Sequence, residues 1–236
     1  MKPIVRSFGM FVRQIANDGM LWGVGLAPLL LGVMIRFGVP YVETVLSGYL
    51  PGNILVPYYQ LFDLVLFLMT PYMFCFASAM VMLAERDENI AQYLAITPLG
   101  KKGYVFSRLY VPVLLSVPAS IMVMLYFSLT VWPTRHLLEG AILMGLLSTV
   151  VALLVVSISR NRVEGVAVGK LSGLLILGLV VPYFIESGFQ YLVCFMPSFW
   201  IARYFLDGNI LFLLSALVTS LVWIALLFRK FSTKLF

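Results

Sequence analysis

Few side chains in this sequence could do bond chemistry, and their spacing removes most of those. The one histidine, His136, follows Arg135 in a polar turn. No serine elbow, His-Glu-x-x-His pair or aspartate cluster accompanies it, so it reads as a solvated turn residue with no nucleophile to activate. Cys75 and Cys194 lie singly inside apolar runs and read as small buried hydrophobes, neither a disulfide framework nor a metal site. Gly165-Val166-Ala167-Val168-Gly169-Lys170-Leu171-Ser172 imitates a phosphate-cradling loop. Three residues instead of four separate its glycines, and Leu171 stands where a hydroxyl should follow the lysine. The expectation is a chain with no catalytic residue, no metal and no cofactor of its own.

Glycines 165, 169 and 173 make better sense as a smooth helical stripe at i, i+4 and i+8 that lets another helix approach. That neighbour could belong to the same subunit or to a second copy. Among isolated charges, Asp63 and Glu139 fall near the outer ends of apolar runs, where a carboxylate can reach water. With Arg36 and Trp200 they are the candidate lining of a substrate path, the alternative being plain wet helix ends.

The densest polar chemistry is the stretch Glu85-Arg86-Asp87-Glu88, followed by Asn89 to Ile96, Thr97-Pro98-Leu99 and Gly100-Lys101-Lys102-Gly103. Asn89 is placed to cap a two-turn helix over 89–96, and the acids before it suit the positive end of that helix. Pro98 disfavours helix at Thr97 and stops it. A short helix bounded at both ends and held between two long apolar segments is a mechanical lever.

The elements that position these residues follow from composition. The 236 residues are 62% hydrophobic and 11% charged, with mean hydropathy +1.02. Soluble domains average about 25% charged residues, so the solvent is a bilayer. A span needs about 20 residues, and the apolar runs give six, near 19–40, 60–83, 104–129, 137–158, 165–185 and 210–228. The expected fold is an all-α integral membrane protein forming one transmembrane domain over 1–236. Residues 2–17, with apolar Ile4, Phe8, Phe11 and Ile15 opposite Arg6 and Arg13, suit an amphipathic interfacial helix, or a plain leader helix, with no cleavage signal. Residues 189–205 are apolar but broken by Pro197, which fits a broken or re-entrant outer segment. Were they to span, the C-terminus would change sides.

The net charge of +6 points to no nucleic acid, because the basic residues sort by side. Thirteen of the 16 fall on one side: Lys2, Arg6 and Arg13; Arg86, Lys101, Lys102 and Arg108; Arg160, Arg162 and Lys170; and Arg229, Lys230 and Lys234. Arg36, Arg135 and Arg203 fall on the other. The positive-inside rule then puts both termini in the cytoplasm of a multi-pass cell-membrane protein.

In this order of parts the sequence resembles the permease subunits of ABC-2-type transporters, and most of all small drug (fluoroquinolone-type) exporter permeases. Glu85, Arg86, Asp87 and Thr97-Pro98-Leu99 match that family's loop. Asn89, Ile90 and Gln92 replace its usual Gly, Thr and Glu, and 197–208 looks like its Pro-to-Gly segment before the last span. The resemblance implies that 89–96 is a coupling helix docking in a separate cytoplasmic ATPase subunit, through Glu85, Arg86, Asp87, Asn89, Gln92, Tyr93, Thr97, Pro98 and Leu99. It implies two ATPases carrying ATP and Mg, and a second permease, identical or homologous. The rival readings are an ion-gradient carrier, which would want ionisable groups near mid-span, a membrane enzyme, which lacks a catalytic set, and an ATPase-linked signalling or immunity complex.

Overall fold

A computed structural model of the protein describes residues 9–235, apart from 11, 15, 50, 51, 98, 99 and 186. Every element among them is helical. Helix α1 is Gly19–Ser47 and α2 is Val56–Asp87. The short α3 is Ile90–Ile96. Helices α4 (Gly100–Phe127), α5 (Thr134–Ile158) and α6 (Arg162–Phe184) follow. A 3-10 turn, Gly188–Val193, leads to α7 (Pro197–Asp207) and α8 (Ile210–Leu235). Six of these, all but α3 and α7, are long and apolar enough to cross a membrane, as the apolar runs predict. Helices satisfy their own backbone groups, which is what a bilayer core demands.

The spans run longer than the apolar runs because polar residues cap or prolong them. The Asp18 carboxylate accepts from Met20 N at 3.0 Å and Leu21 N at 3.4 Å, starting α1. That helix passes through a π-turn at Met34–Gly38 and continues to Ser47, well past the expected end at 40. Glu43, although charged, is buried, because its two oxygens accept from Ile54 N (2.9 Å) and Leu55 N (2.7 Å) and fold the following loop back. Of the expected interfacial helix, residues 9, 10, 12–14, 16 and 17 are helical, and 2–8, 11 and 15 lie outside the described residues. Residues 189–205 are indeed broken: the 3-10 turn ends at Val193, and Pro197 occupies the first turn of α7, where its missing N–H costs nothing. Gly208, at φ 66°, ends α7 in the left-handed region. Cys194 is exposed, not buried, because this segment runs along the surface.

Helices α2 and α5 form the central pair. Leu64, Phe67 and Leu68 of α2 and Leu143, Met144 and Leu147 of α5 are almost wholly buried. Small residues permit the close packing. A Cβ at Gly140 would run into the Phe67 ring, and one at Gly165 into the Leu83 side chain. One at Gly169 would run into the Phe76 ring. The Gly165–Gly169 face therefore packs on α2 of the same chain, which resolves the alternative left open by the stripe. Gly173 does not extend it, because α6 loosens there and a Cβ would meet only its own turn at Lys170 O. Since a ring edge yields less than a leucine tip, Gly169→Val should cost about 1–3 kcal/mol and Gly165→Ala less. Thermal unfolding in detergent checks both, and Phe76→Leu should restore part of the Gly169→Val loss.

Candidate coupling site

The α2–α3–α4 connection is built on buried charge. Glu85 and Arg108 are each 1% exposed. Arg108 donates from Nε to both Glu85 oxygens, at 3.2 and 3.0 Å, and from its terminal nitrogen to Oε1 at 2.5 Å. The Tyr104 hydroxyl donates to Glu85 Oε2 at 2.9 Å. Arg108 lies in the π-turn Phe106–Tyr110, and its carbonyl accepts from the Ser78 hydroxyl. Glu85 is thus a fork that clamps the end of α2 to the start of α4. Where the resemblance implies a contact for another subunit, the side chain faces inward and is spent on this clamp, its burial tolerated because the charge is paired.

Its two neighbours also turn to the chain itself. Arg86 donates to Ser159 O at 2.9 Å and Val156 O at 3.5 Å, closing the end of α5. Asp87 accepts from Arg162 N at 3.0 Å, at the start of α6. The Arg162 side chain pairs with Asp18, which precedes α1. Hydrogen bonding to that guanidinium, set against some burial, holds the Asp18 carboxyl below its ordinary value. Residues 85–87 therefore tie α2, α4, α5 and α6 together at their basic end, and the Arg162–Asp18 pair adds α1.

On this base stands α3. Asn89 does not cap it through its side chain, contrary to expectation. Its φ of 59° places it in the left-handed region, where asparagine is tolerated, so it makes the sharp turn out of α2 instead. Ala91 is buried against the base, while Gln92, Tyr93 (68% exposed) and Ile96 (84% exposed) point away from it. The Thr97 hydroxyl donates to Leu94 O at 2.6 Å and closes the helix. Pro98 and Leu99 lie outside the described residues. Arg108 and Tyr104, which complete the clamp, were missed as site residues. The available signal was an arginine inside an apolar run, which needs a buried partner.

At the opposite end, Arg36 donates to Ser128 O at 2.7 Å and borders a recess of about 280 Å³ with Tyr126, Thr130 and Trp132. Asp63 is wholly buried, not at a wet end. Its carboxylate accepts from Leu129 N (2.8 Å), Thr130 N (2.9 Å), the Thr130 hydroxyl (2.5 Å) and Trp132 Nε1 (3.0 Å). Glu139 accepts from Arg135 Nε at 2.7 Å and from the Tyr204 hydroxyl. His136 is half-buried with its ring against Tyr204 and Phe205, not solvated. Trp200 stands apart, donating to Cys194 O at 2.7 Å and packed on Phe199. The structure brings Arg36 and Asp63 to one turn, 128–132, and leaves Trp200 elsewhere. Among the described residues no group of His, Cys, Asp and Glu could hold a metal.

Comparison with known proteins gives this arrangement a family. No solved structure matches the chain. Two curated proteins of Mycobacterium tuberculosis do: the fluoroquinolones export permease protein MT2760 of strain CDC 1551 / Oshkosh and the fluoroquinolones export permease protein Rv2686c of strain H37Rv. Each is 25% identical over 240 residues, covering 94% of this chain and 91% of the relative. The family description "Fluoroquinolones export permease protein Rv2686c-like" fits residues 11–228. With that family match over most of its length and six helices long and apolar enough to cross a membrane, the chain is a multi-pass membrane permease of the Rv2686c-like family.

Proposed function

We propose that this chain is the permease subunit of an ATP-driven ABC-2-type exporter in the cell membrane, with both termini and α3 in the cytoplasm. Two copies, or this chain and a homologue, would work with two ATPase subunits that carry ATP and Mg. This chain supplies the path and the lever and hydrolyses nothing. The cargo is a hydrophobic or amphipathic drug of the fluoroquinolone kind, as the names of its relatives suggest.

The observation that carries the reading is the pairing of an anchored base with an apolar tip. Tyr93 and Ile96 are large, exposed and set on the basic end, where exposed apolar side chains mark a docking surface more than a membrane face. Below them, Glu85, Arg86 and Asp87 transmit any displacement of α3 to α4, α5 and α6. Force enters only if the partner's states hold this tip differently. An ion-gradient carrier is less well supported: among the described residues the buried charged groups Glu43, Asp63, Glu85 and Arg108 are all engaged within the chain, and the three carboxylates sit toward helix ends.

Tyr93→Ala and Ile96→Asp should leave the fold intact, weaken co-purification with a P-loop ATPase about tenfold or more, and abolish drug-stimulated ATP turnover of the complex. If both variants keep assembly and turnover, α3 is not the coupling element.

A further inference from the structure

Helices α4 and α8 both pack on α5 and leave a groove between them at the basic end, about 410 Å³ in volume. That lies within the range of drug-sized sites. Its walls are aromatic and come from both helices. On α4 the Phe106 and Tyr110 rings lie 6.0 Å apart at 29°. On α8 the Phe228 and Phe231 rings lie 5.7 Å apart at 34°. Lys101 and Lys102, both exposed, line the same groove at its polar end. Neither α3 nor the turn at 128–132 contributes to it.

Phe231 is almost wholly buried and backs Phe228, while the Phe106, Tyr110 and Phe228 rings offer faces and edges to a flat ring system. Two ammonium groups at one end favour a negative charge there, through charge-assisted hydrogen bonds to a carboxylate. A neutral or cationic aromatic would gain the walls and nothing from the lysines.

We propose that the α4–α8 groove is the intake site for a planar aromatic carboxylate, bound with its rings among Phe106, Tyr110 and Phe228 and its carboxylate at Lys101 and Lys102. This rests on the drug-export reading above and locates where the cargo is first held. The first turns of α4, which carry Lys101 and Lys102, pack against α3, so a bound acid sits near the lever that would drive its release.

The test uses the purified full-length chain in detergent, with a fluoroquinolone, itself a planar aromatic acid, and its methyl ester as fluorescent probes. The acid should bind about tenfold more tightly than the ester. The double variant K101Q/K102Q should erase that preference while leaving ester binding unchanged. Phe228→Ala should weaken acid and ester alike. If the unaltered protein binds acid and ester equally while cells expressing it still export the acid, the groove assignment is overturned and the export reading stands. If it neither binds nor exports the acid, both fall. If native mass spectrometry finds phosphatidylglycerol retained by the unaltered protein and lost from K101Q/K102Q, with acid binding unaffected by the variant, the groove is a lipid site and the assignment is again overturned.

Discussion

Glu85→Ala should destabilise the protein by about 3–5 kcal/mol, the usual cost of removing one member of a buried ion pair. The variant leaves the Arg108 guanidinium, 1% exposed, without its carboxylate, and strips the Tyr104 hydroxyl of its acceptor. Water cannot reach in to replace either partner. Glu85→Gln keeps the shape and part of the hydrogen bonding, so its loss should be smaller. The double variant Glu85→Leu with Arg108→Met removes both charges and should be more stable than Glu85→Ala alone. Thermal unfolding of the purified protein in detergent reads all three. A lever also needs a rigid base, so the double variant, although folded, should show reduced drug-stimulated turnover in complex with an ATPase. That readout separates a positioning role from a purely structural one. A Glu85→Ala protein melting with the unaltered one would show that the pair does not hold α2 to α4.

The second large effect is expected at Asp63. Asp63→Ala deprives Leu129 N, Thr130 N, the Thr130 hydroxyl and Trp132 Nε1 of one shared acceptor. Each donor stranded away from water costs about 1–3 kcal/mol. Some donors will find water once the turn opens, so a net loss of about 3 kcal/mol is the expected outcome. Trp132 reports the change directly: its ring packs edge-on to Phe67 and Phe205, and its fluorescence should shift to the red as the 128–132 turn loosens. Asp63→Asn retains one acceptor oxygen and should fall between. Arg36→Ala removes one bond to the same turn from an exposed position and should cost no more than about 1.5 kcal/mol. If Asp63→Ala lowered the melting point by less than about 2 °C without a spectral shift, the carboxylate would not be what holds the turn.

These two carboxylates mark the boundary of what the amino-acid order reveals. The six crossings, their order and the short helix after the second were legible because each depends on local facts: a run of about 20 apolar residues, a proline, a glycine. The resemblance placed Glu85 at a partner, and the local reading placed Asp63 near water. Neither revealed what each carboxylate holds within the chain, because those groups are distant in sequence: Arg108 lies beyond α3, and residues 129–132 follow two spans. Nothing near Glu85 announces them.

Helix ends were misjudged for a related reason. α1 starts where expected, capped by Asp18, and outruns its apolar segment at the other end, where the buried Glu43 organises the following loop. Asn89, a good cap by type, instead takes a positive φ because the chain must turn sharply between two clamped helices. The glycine stripe was visible as a pattern, yet only packing assigned Gly165 and Gly169 to the same chain's α2 and released Gly173. Hydrophobicity is a property each residue carries with it, so the bilayer-crossing plan can be read one segment at a time. The partner of a buried charge is a property of two surfaces that meet only on folding, and each residue along a helix turns about 100°, so its facing is settled by the neighbours it packs against.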